Sequence, residues 1–532
     1  MSKQASKRWI TVFFVILTGI GLVASMGYGM LLDGPSEQVI LQENLKEYAI
    51  LLLGRDSESV RGYDALDIQS ITESIEMDHG QAVYYPAAPL LALKDSNPYW
   101  FNILWHAYTW LWFMAGVMAV YAIMRSLQMP RLIACATALF YYLSPRFFAE
   151  GHYNNKDILL LSLTLWTIAA AIRFWQKPTA WGAAWFGLAG ALAANIRIIG
   201  FFVFGVMGVT ALITLAARRQ LDKRIWGNGL VAIVSFAAVY ILITPAFMVN
   251  PGGFINHVLH NAAAFSRWDG LVIYKGAAYD PANGLSLPHS YLPTMIAFTV
   301  PIPVLVLAAL GAGCAVHLCI TGDGRRPALL ALMLLFVVPL GYAVLAQPLM
   351  YNGWRHFYFL YGPILVMAGF GMRLLYQLLW KKRAGRVVCA GVLAGALLWQ
   401  GIGIARNYPY EYAYYNELAG TVEGQFELDY WEVSTLNAMR LLADSEECNP
   451  ALPIVIGGGD HMSEFSLLQN VEILPNELRG LITVTEGKNP PYLFSNTTYA
   501  QIYNERPGAK YQPLFSIKSY GNVLCTVYER QP

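Results

Sequence analysis

Apolar stretches recur along the chain at about 9–32, 101–124, 132–145, 157–175, 179–196, 198–217, 226–249, 291–318, 328–347, 358–380 and 387–405. Some twenty apolar residues wound as a helix cover the roughly 30 Å of a bilayer core, so each stretch predicts one membrane span, eleven in all. The first, Trp9 to Leu32, exceeds a signal-peptide core and lacks a small-x-small cleavage pattern, so it is expected to be a retained helix. Two polar segments interrupt the pattern. In the earlier one, Ser36–Leu53 places Val39, Ile40, Leu41, Leu45 and Tyr48 at near-helical spacing, which predicts an amphipathic helix lying on the membrane surface. The later one predicts a helix near 430–443 and strands at Pro453–Ile456, Ile482–Thr485 and Val523–Tyr528, hence a small α/β domain. The division is therefore 1–32 (N-terminus and first span), 33–98 (a loop with the interfacial helix), 99–405 (the remaining spans) and 406–532 (the terminal domain).

Composition supports that architecture. Apolar residues form 56% of the chain and charged ones 13%, where a soluble chain carries about 25% charge. Mean hydropathy is +0.42. A surface so poor in charge has to meet lipid, which excludes a disordered chain or a disulfide scaffold. The net charge of +2 offers nucleic acid no counter-surface. Basic residues gather in alternate short connections, at Lys3, Lys7 and Arg8, Arg125 and Arg131, Arg173 and Lys177, Arg218 to Arg224, Arg325 and Arg326, and Lys381 to Arg386. The intervening connections hold fewer, namely Arg146, Lys156, Arg197, Arg267, Lys275 and Arg355. The positive-inside bias then places the N-terminus in the cytoplasm and, with an odd span count, the 406–532 segment outside. Cys448 and Cys525 share that segment, where a disulfide or two thiols are equally compatible with the spacing.

Ionisable groups near a bilayer cost about 2.5–3.5 kcal/mol each on insertion scales, so their placement carries information. Asp33 closes the first span and Glu37 follows one turn later. Arg146, Lys156 and Asp157 bridge the third and fourth spans, Arg197 separates the fifth and sixth, and Arg355 with His356 precedes the tenth. All fall on the outer side. Acids and bases at such a boundary suit transfer of a sugar from a polyprenyl phosphate. A carboxylate (Asp33 or Glu37) takes the acceptor's proton, and cations (Arg355, His356, Lys156, Arg146) hold the departing phosphate. Each residue also has a plain structural reading: Asp33 as a solvated helix end, Asp157 as an N-cap, Lys156 snorkelling, Arg355 stacked on aromatic rings, Arg197 paired with a carboxylate. A lipid-linked sugar transporter or flippase, or a non-catalytic glycan-assembly partner, uses the same features without a base. His152, His257, His260 and His289 show no repeated ligand spacing, so no metal site is assigned, although carboxylates leave room for a divalent cation.

Several segments together resemble the GT-C membrane glycosyltransferases of the family-39-like group, which includes protein mannosyltransferases and aminoarabinose transferases. They are Ser144-Pro145-Arg146-Phe147-Phe148-Ala149 through Tyr153-Asn154-Asn155-Lys156-Asp157, Asn195-Ile196-Arg197-Ile198-Ile199-Gly200, and Leu287-Pro288-His289-Ser290-Tyr291-Leu292-Pro293. Gly353-Trp354-Arg355-His356-Phe357-Tyr358-Phe359, Tyr408-Pro409-Tyr410-Glu411-Tyr412 through Asn416-Glu417-Leu418-Ala419-Gly420, and Leu428-Asp429-Tyr430-Trp431 complete the set. The resemblance runs from about residue 33 to 443 and stops there. It implies a GT-C fold, an inverting transfer on the periplasmic or lumenal face, and a bacterial inner-membrane location. The implied partners are a polyprenyl-phosphate sugar donor, membrane lipid and an acceptor of unspecified class. It also implies roles for Asp157, which is similar to the second outer acidic position, and for Asp78 in Asp78-His79-Gly80. The family's Asp-Glu pair after the first span is not intact here: the sequence reads Asp33-Gly34-Pro35-Ser36-Glu37-Gln38, so either Asp33 or Glu37 is the carboxylate in question.

Overall fold

A computed structural model describes residues 3–263, 267–379, 382–445, 453–487, 489–505 and 507–531. Helices of nine or more residues are numbered in chain order. They are α1 Lys3–Ala24, α2 Gly34–Leu53, α3 Pro98–Ser126, α4 Arg131–Tyr142, α5 Pro145–Tyr153, α6 Asp157–Gln176, α7 Ala180–Ile196, α8 Ile199–Ala217 and α9 Lys223–Ile243. After them come α10 Pro251–Ala263, α11 Tyr291–Thr299, α12 Ile302–Ile320, α13 Arg326–Ala346, α14 Tyr361–Leu379, α15 Arg383–Asn407, α16 Thr435–Ala443 and α17 His461–Glu472. Among the described residues nine helices are long and apolar enough to cross a membrane; α4 and α5 form a pair bent by 68°, and α7 is a shorter apolar helix. The chain is an integral multi-pass membrane protein, mostly helical, with a small terminal sheet.

Two local departures from the expected spans have proline causes. The stretch at 132–145 breaks after Tyr142, because Pro145 opens α5 as a separate helix bent by 68° from α4. The stretch at 291–318 is two helices, since Pro301 interrupts the backbone ladder between α11 and α12.

Burial sorts the spans. Most of α6 and of the Arg355–Leu379 span lies inside the bundle, whereas α1, α9 and α15 stay largely uncovered. The uncovered helices show Ile16, Ile233 and Leu398 at the surface, as lipid-facing helices must, because hydrocarbon offers no reason to hide them. Where helices touch closely, glycine permits it. A Cβ on Gly311 of α12 would stand 1.7 Å from the Met367 carbonyl of α14, and one on Gly371 would stand 2.0 Å from that of Leu307.

The connections separate cleanly to two ends. Gln176 donates to the carbonyl of Ser126, and Arg218 to that of Trp175, so the basic hairpins share one end. Asp33, Lys156, Arg197 and Arg355 meet at the other.

At that second end α2 covers the spans. Val39, Leu51, Leu52 and Leu53 are exposed, and the covered side mixes apolar Ile40 and Leu41 with polar Glu37, Gln38, Glu43, Asn44, Lys46 and Glu47. The 55–97 segment supplies partners, Asp64 to Lys46 at 2.6 Å and Gln69 to Glu43 at 2.8 Å. Of the five apolar positions read as one face, Ile40 and Leu41 turn into the protein while Val39 is exposed, so the helix is held by protein contacts as well as by any membrane surface.

The terminal sheet has strands β3 Ile454–Gly458, β4 Ile482–Val484, β5 Tyr492–Asn496, β6 Tyr511–Ser519 and β7 Asn522–Arg530, in order β4-β3-β5-β7-β6 (β1 Val272–Tyr274 and β2 Ala277–Tyr279 form a separate hairpin). The three predicted strands are β3, β4 and β7; β5, β6 and α17 carry weaker patterns. The run Gly457-Gly458-Gly459-Asp460 ends β3, and Asp460 caps α17 by accepting from the amides of Met462 and Ser463. Gly458 has no room for a side chain, since a Cβ would lie 2.3 Å from the Glu464 nitrogen. Cys448 lies outside the described residues.

Candidate active site

The turn from α1 into α2 places Asp33 just ahead of α2, and Pro35 in the first turn of that helix fixes its start. Ahead of α14 the Gly353–Phe359 segment packs by Trp354, which is buried and donates through Nε1 to the Thr299 hydroxyl at 2.8 Å. That anchor aims Arg355 at the α1–α2 turn. Its Nη1 donates to Asp33 Oδ2 at 2.9 Å, and its Nε lies 3.9 Å from Asp157 Oδ2. The guanidinium stacks on Tyr351 and Trp431, each 4.7 Å from the ring centre. Trp431 comes from the terminal domain, whose Asn496 and Thr498 hold the backbone at Leu428 and Asp429. Those two side chains are buried and engaged, so the Asn496-Thr497-Thr498 sequon is not a free glycan acceptor.

Asp33 and Arg355 line one cavity of about 270 Å³ together with Glu37, Glu76, Lys156, Asp157, Arg197 and Arg267. Four carboxylates therefore face four cations. Glu37 is the most constrained. Its Oε1 accepts from Lys156 Nζ at 3.3 Å and its Oε2 from Gln81. Burial pushes its carboxyl up, but Lys156, His79 and Gln81 outweigh that and hold it below the usual carboxylate range. Asp33 differs. Its side chain is 44% exposed, with one oxygen on Arg355.

Asp157 is buried and pairs with Arg197 at 2.8 Å. It does not cap α6. Lys156 holds the N-cap position without a side-chain bond, and Asn154 Oδ1 in the preceding turn accepts from the Asp157 amide at 2.8 Å, which leaves the Asp157 carboxylate for the two arginines. Asp78 does not line this cavity but the adjoining one, and it is bonded by Arg267 Nη2 at 2.7 and 3.0 Å. Gly80 lies so close to α7 that a Cβ would come 2.0 Å from the Asn195 carbonyl, and the Ala82 amide donates to Asn195 Oδ1 at 3.2 Å. Asp78-His79-Gly80 and Asn195-Ile196-Arg197, remote in sequence, thus form one wall.

A second cavity of about 500 Å³ adjoins the first through His79, Arg197 and Arg267. It is mainly apolar, lined by Phe201, Phe202, Val338, Tyr342 and Leu349 between α8 and α13. His356 lines this chamber rather than the polar one and meets Tyr351 edge-on at 4.7 Å.

One predicted phosphate-binding residue is placed elsewhere. Arg146 is buried in α5, its guanidinium 4.4 Å from the Tyr412 ring and 5.0 Å from that of Tyr415, and it lines neither cavity. The reason is the bend before α5, which turns Arg146 towards the terminal segment instead of the opening. Conversely, Glu76, Arg267 and Tyr351 line the cavity, and Gln81 bonds Glu37 beside it, without a prior signal, because they lie in long connections with no periodicity.

His152 stacks between Trp110 and Tyr28 and contacts the carbonyls of Phe148 and Gly21, while His257 lies 3.5 Å from Asp78. Among the described residues no three of His, Cys, Asp and Glu gather as a metal-ligand set, and Asp33, Glu37 and Asp157 each face a cation, so these side chains do not fit a divalent ion as arranged.

No protein-family profile matches the chain, and no curated protein is significantly similar to it in sequence. Among solved structures the chain is similar to the crystal structure of ArnT from Cupriavidus metallidurans bound to undecaprenyl phosphate. Identity is 12%, the TM-score is 0.47, and the match covers 98% of this chain and 97% of that one.

Proposed function

We propose that the chain is a membrane glycosyltransferase that moves a sugar from a polyprenyl-phosphate donor to an acceptor hydroxyl on the extracytoplasmic face. The observation that carries this reading is a half-exposed carboxylate, Asp33, bonded to a buried arginine in a polar cavity that shares His79, Arg197 and Arg267 with an apolar chamber between two spans. An amphiphile with a charged head and a long apolar tail needs that pair of neighbouring environments, and the sequence resemblance to GT-C enzymes points to the same class.

The roles follow from accessibility. The donor's tail occupies the chamber between α8 and α13, and its phosphate lies against Arg355 and Lys156, the fork of Arg355 giving two parallel hydrogen bonds. Asp33 then faces the acceptor. The acceptor oxygen attacks the anomeric carbon, the bond from that carbon to the phosphate oxygen breaks, the electron pair leaves on the phosphate, and the acceptor's proton passes to Asp33. Attack opposite the leaving group inverts the anomeric centre. Asp33 rather than Glu37 is the base, because both oxygens of Glu37 are already engaged and it is buried. Asp157 and Glu37 act through the cations they orient.

The test is turnover of purified full-length protein with a panel of polyprenyl-phosphate sugars. Asp33→Asn should lower kcat by about 10²–10⁴, the usual contribution of a general base, while donor binding changes less than threefold. Unchanged turnover in that variant removes Asp33 from the mechanism, and donor binding without turnover in the native protein favours a transporter.

A further inference from the structure

A third cavity, of about 380 Å³, lies where α15 meets the terminal domain and has no part in the chemistry above. Gln400 on α15 lines it, is 3% exposed, and neither its amide oxygen nor its amide nitrogen has a hydrogen-bond partner among the described residues. The Tyr520 hydroxyl, also in the lining, is buried without a partner as well. Buried polar atoms are nearly always paired, so three such atoms around one opening mark a site with a complementary ligand.

The chemistry of the lining selects the ligand. An amide presents one donor direction and one acceptor direction side by side, which matches two adjacent hydroxyls, each able to give and to take a hydrogen bond. Tyr414 and Tyr520 meet edge to face at 5.3 Å, and Trp399 stands beside Gln400, giving flat apolar surfaces for the C–H face of a sugar ring. Arg406 and Glu417 are both in the lining, so opposite charges balance and no net field favours an anion. The volume falls in the ordinary range for small-ligand sites. We infer that this cavity is a saccharide-binding site for a ring bearing vicinal hydroxyls, separate from the catalytic cavity. Pro145 at the start of α5 lines it, and Tyr153 at the end of α5 lines the catalytic cavity, so one helix, about 12 Å long, separates the two. The inference needs only the cavity and does not rest on the transfer reading.

The ring has two possible sources, a soluble glycan or the head of a glycolipid, since α15 leaves Trp399 and Ile402 open to the bilayer. The experiment uses the full chain in detergent. Saturation-transfer NMR reports binding of glucose, and native mass spectrometry reports retention of monoglucosyl diacylglycerol against phosphatidylglycerol. At least one glucosyl probe is expected to bind, and Gln400→Leu and Tyr520→Phe should each cut that signal at least fivefold. Asp33→Asn, which alters only the catalytic cavity, should leave it within twofold. A glucose signal alone assigns a soluble glycan, and a glucolipid signal alone assigns a lipid-borne one. If Gln400→Leu does not fold, Tyr520→Phe decides. The site is overturned if neither glucosyl probe binds, if both variants bind as the native chain does, or if phosphatidylglycerol is retained as well as the glucolipid.

Discussion

Arg355 Nη1 donates to Asp33 Oδ2 at 2.9 Å across 322 positions of sequence. The pair joins the turn after the first span to the turn before the Arg355–Leu379 span, and Trp431 of the terminal domain covers it. Three separately folded pieces must therefore be in register before the carboxylate and the guanidinium meet.

The pair predicts an asymmetric response to substitution. Arg355→Lys keeps a positive charge but loses the fork and the flat face that stacks on Tyr351 and Trp431. The Michaelis constant for the lipid donor should rise at least tenfold, about 1.4 kcal/mol, with a smaller change in kcat. Arg355→Ala leaves buried Asp157 with one arginine fewer, and thermal unfolding should show a loss of about 3–5 kcal/mol. Equal donor affinity in Arg355→Lys would argue against phosphate contact.

The apolar chamber predicts tail-length selectivity. Val338→Trp on α13 fills space between the spans without touching the polar cavity. Competition binding should show at least a tenfold loss for a long polyprenyl phosphate and less than a twofold loss for geranyl phosphate. A uniform loss for both ligands would place the tail elsewhere.

Glu411 predicts a pH dependence of stability. It is fully buried just beyond α15, accepts from the Tyr28 hydroxyl at 3.0 Å, and burial pushes its carboxyl up to about 8. A carboxyl raised in the folded state stabilises fully below its unfolded value of about 4.5, and that contribution drains away as pH rises towards 8. Up to about 5 kcal/mol is at stake by linkage. Glu411→Gln should match the native chain in melting temperature near pH 5 and exceed it at pH 8–9. Parallel melting curves across that range would contradict the assignment.

Gly80 predicts a packing effect with a functional consequence. Gly80→Ala would drive a methyl group into the Asn195 carbonyl and part the wall that carries Asp78 and Arg197. Overpacking of this kind costs about 1–3 kcal/mol. Donor binding should weaken along with the melting temperature, whereas Gly62→Ala, in the exposed helix Glu58–Ala65 where a Cβ meets nothing within 4 Å, should leave donor binding unchanged and not lower the melting temperature.

Much of the architecture is legible in local composition. Span positions, the covering helix α2, three of the terminal strands and the gathering of Asp33, Lys156, Asp157, Arg197 and Arg355 at one end all follow from runs of apolar residues and what borders them. Lipid enforces that link: a backbone in hydrocarbon must bond to itself as a helix, and charges must stay at its ends. Which charges face one another is a different matter. Spacing did not distinguish Asp33, which opens to the cavity, from Glu37, which Lys156 and Gln81 enclose. Nor did it separate Arg355, aimed into the cavity, from Arg146, turned away by the bend at Pro145 and stacked on Tyr412. Those outcomes depend on contacts of a few ångströms between segments hundreds of residues apart. Only the packing of helices and of the terminal domain brings such groups within reach, and a one-dimensional pattern holds no record of those distances.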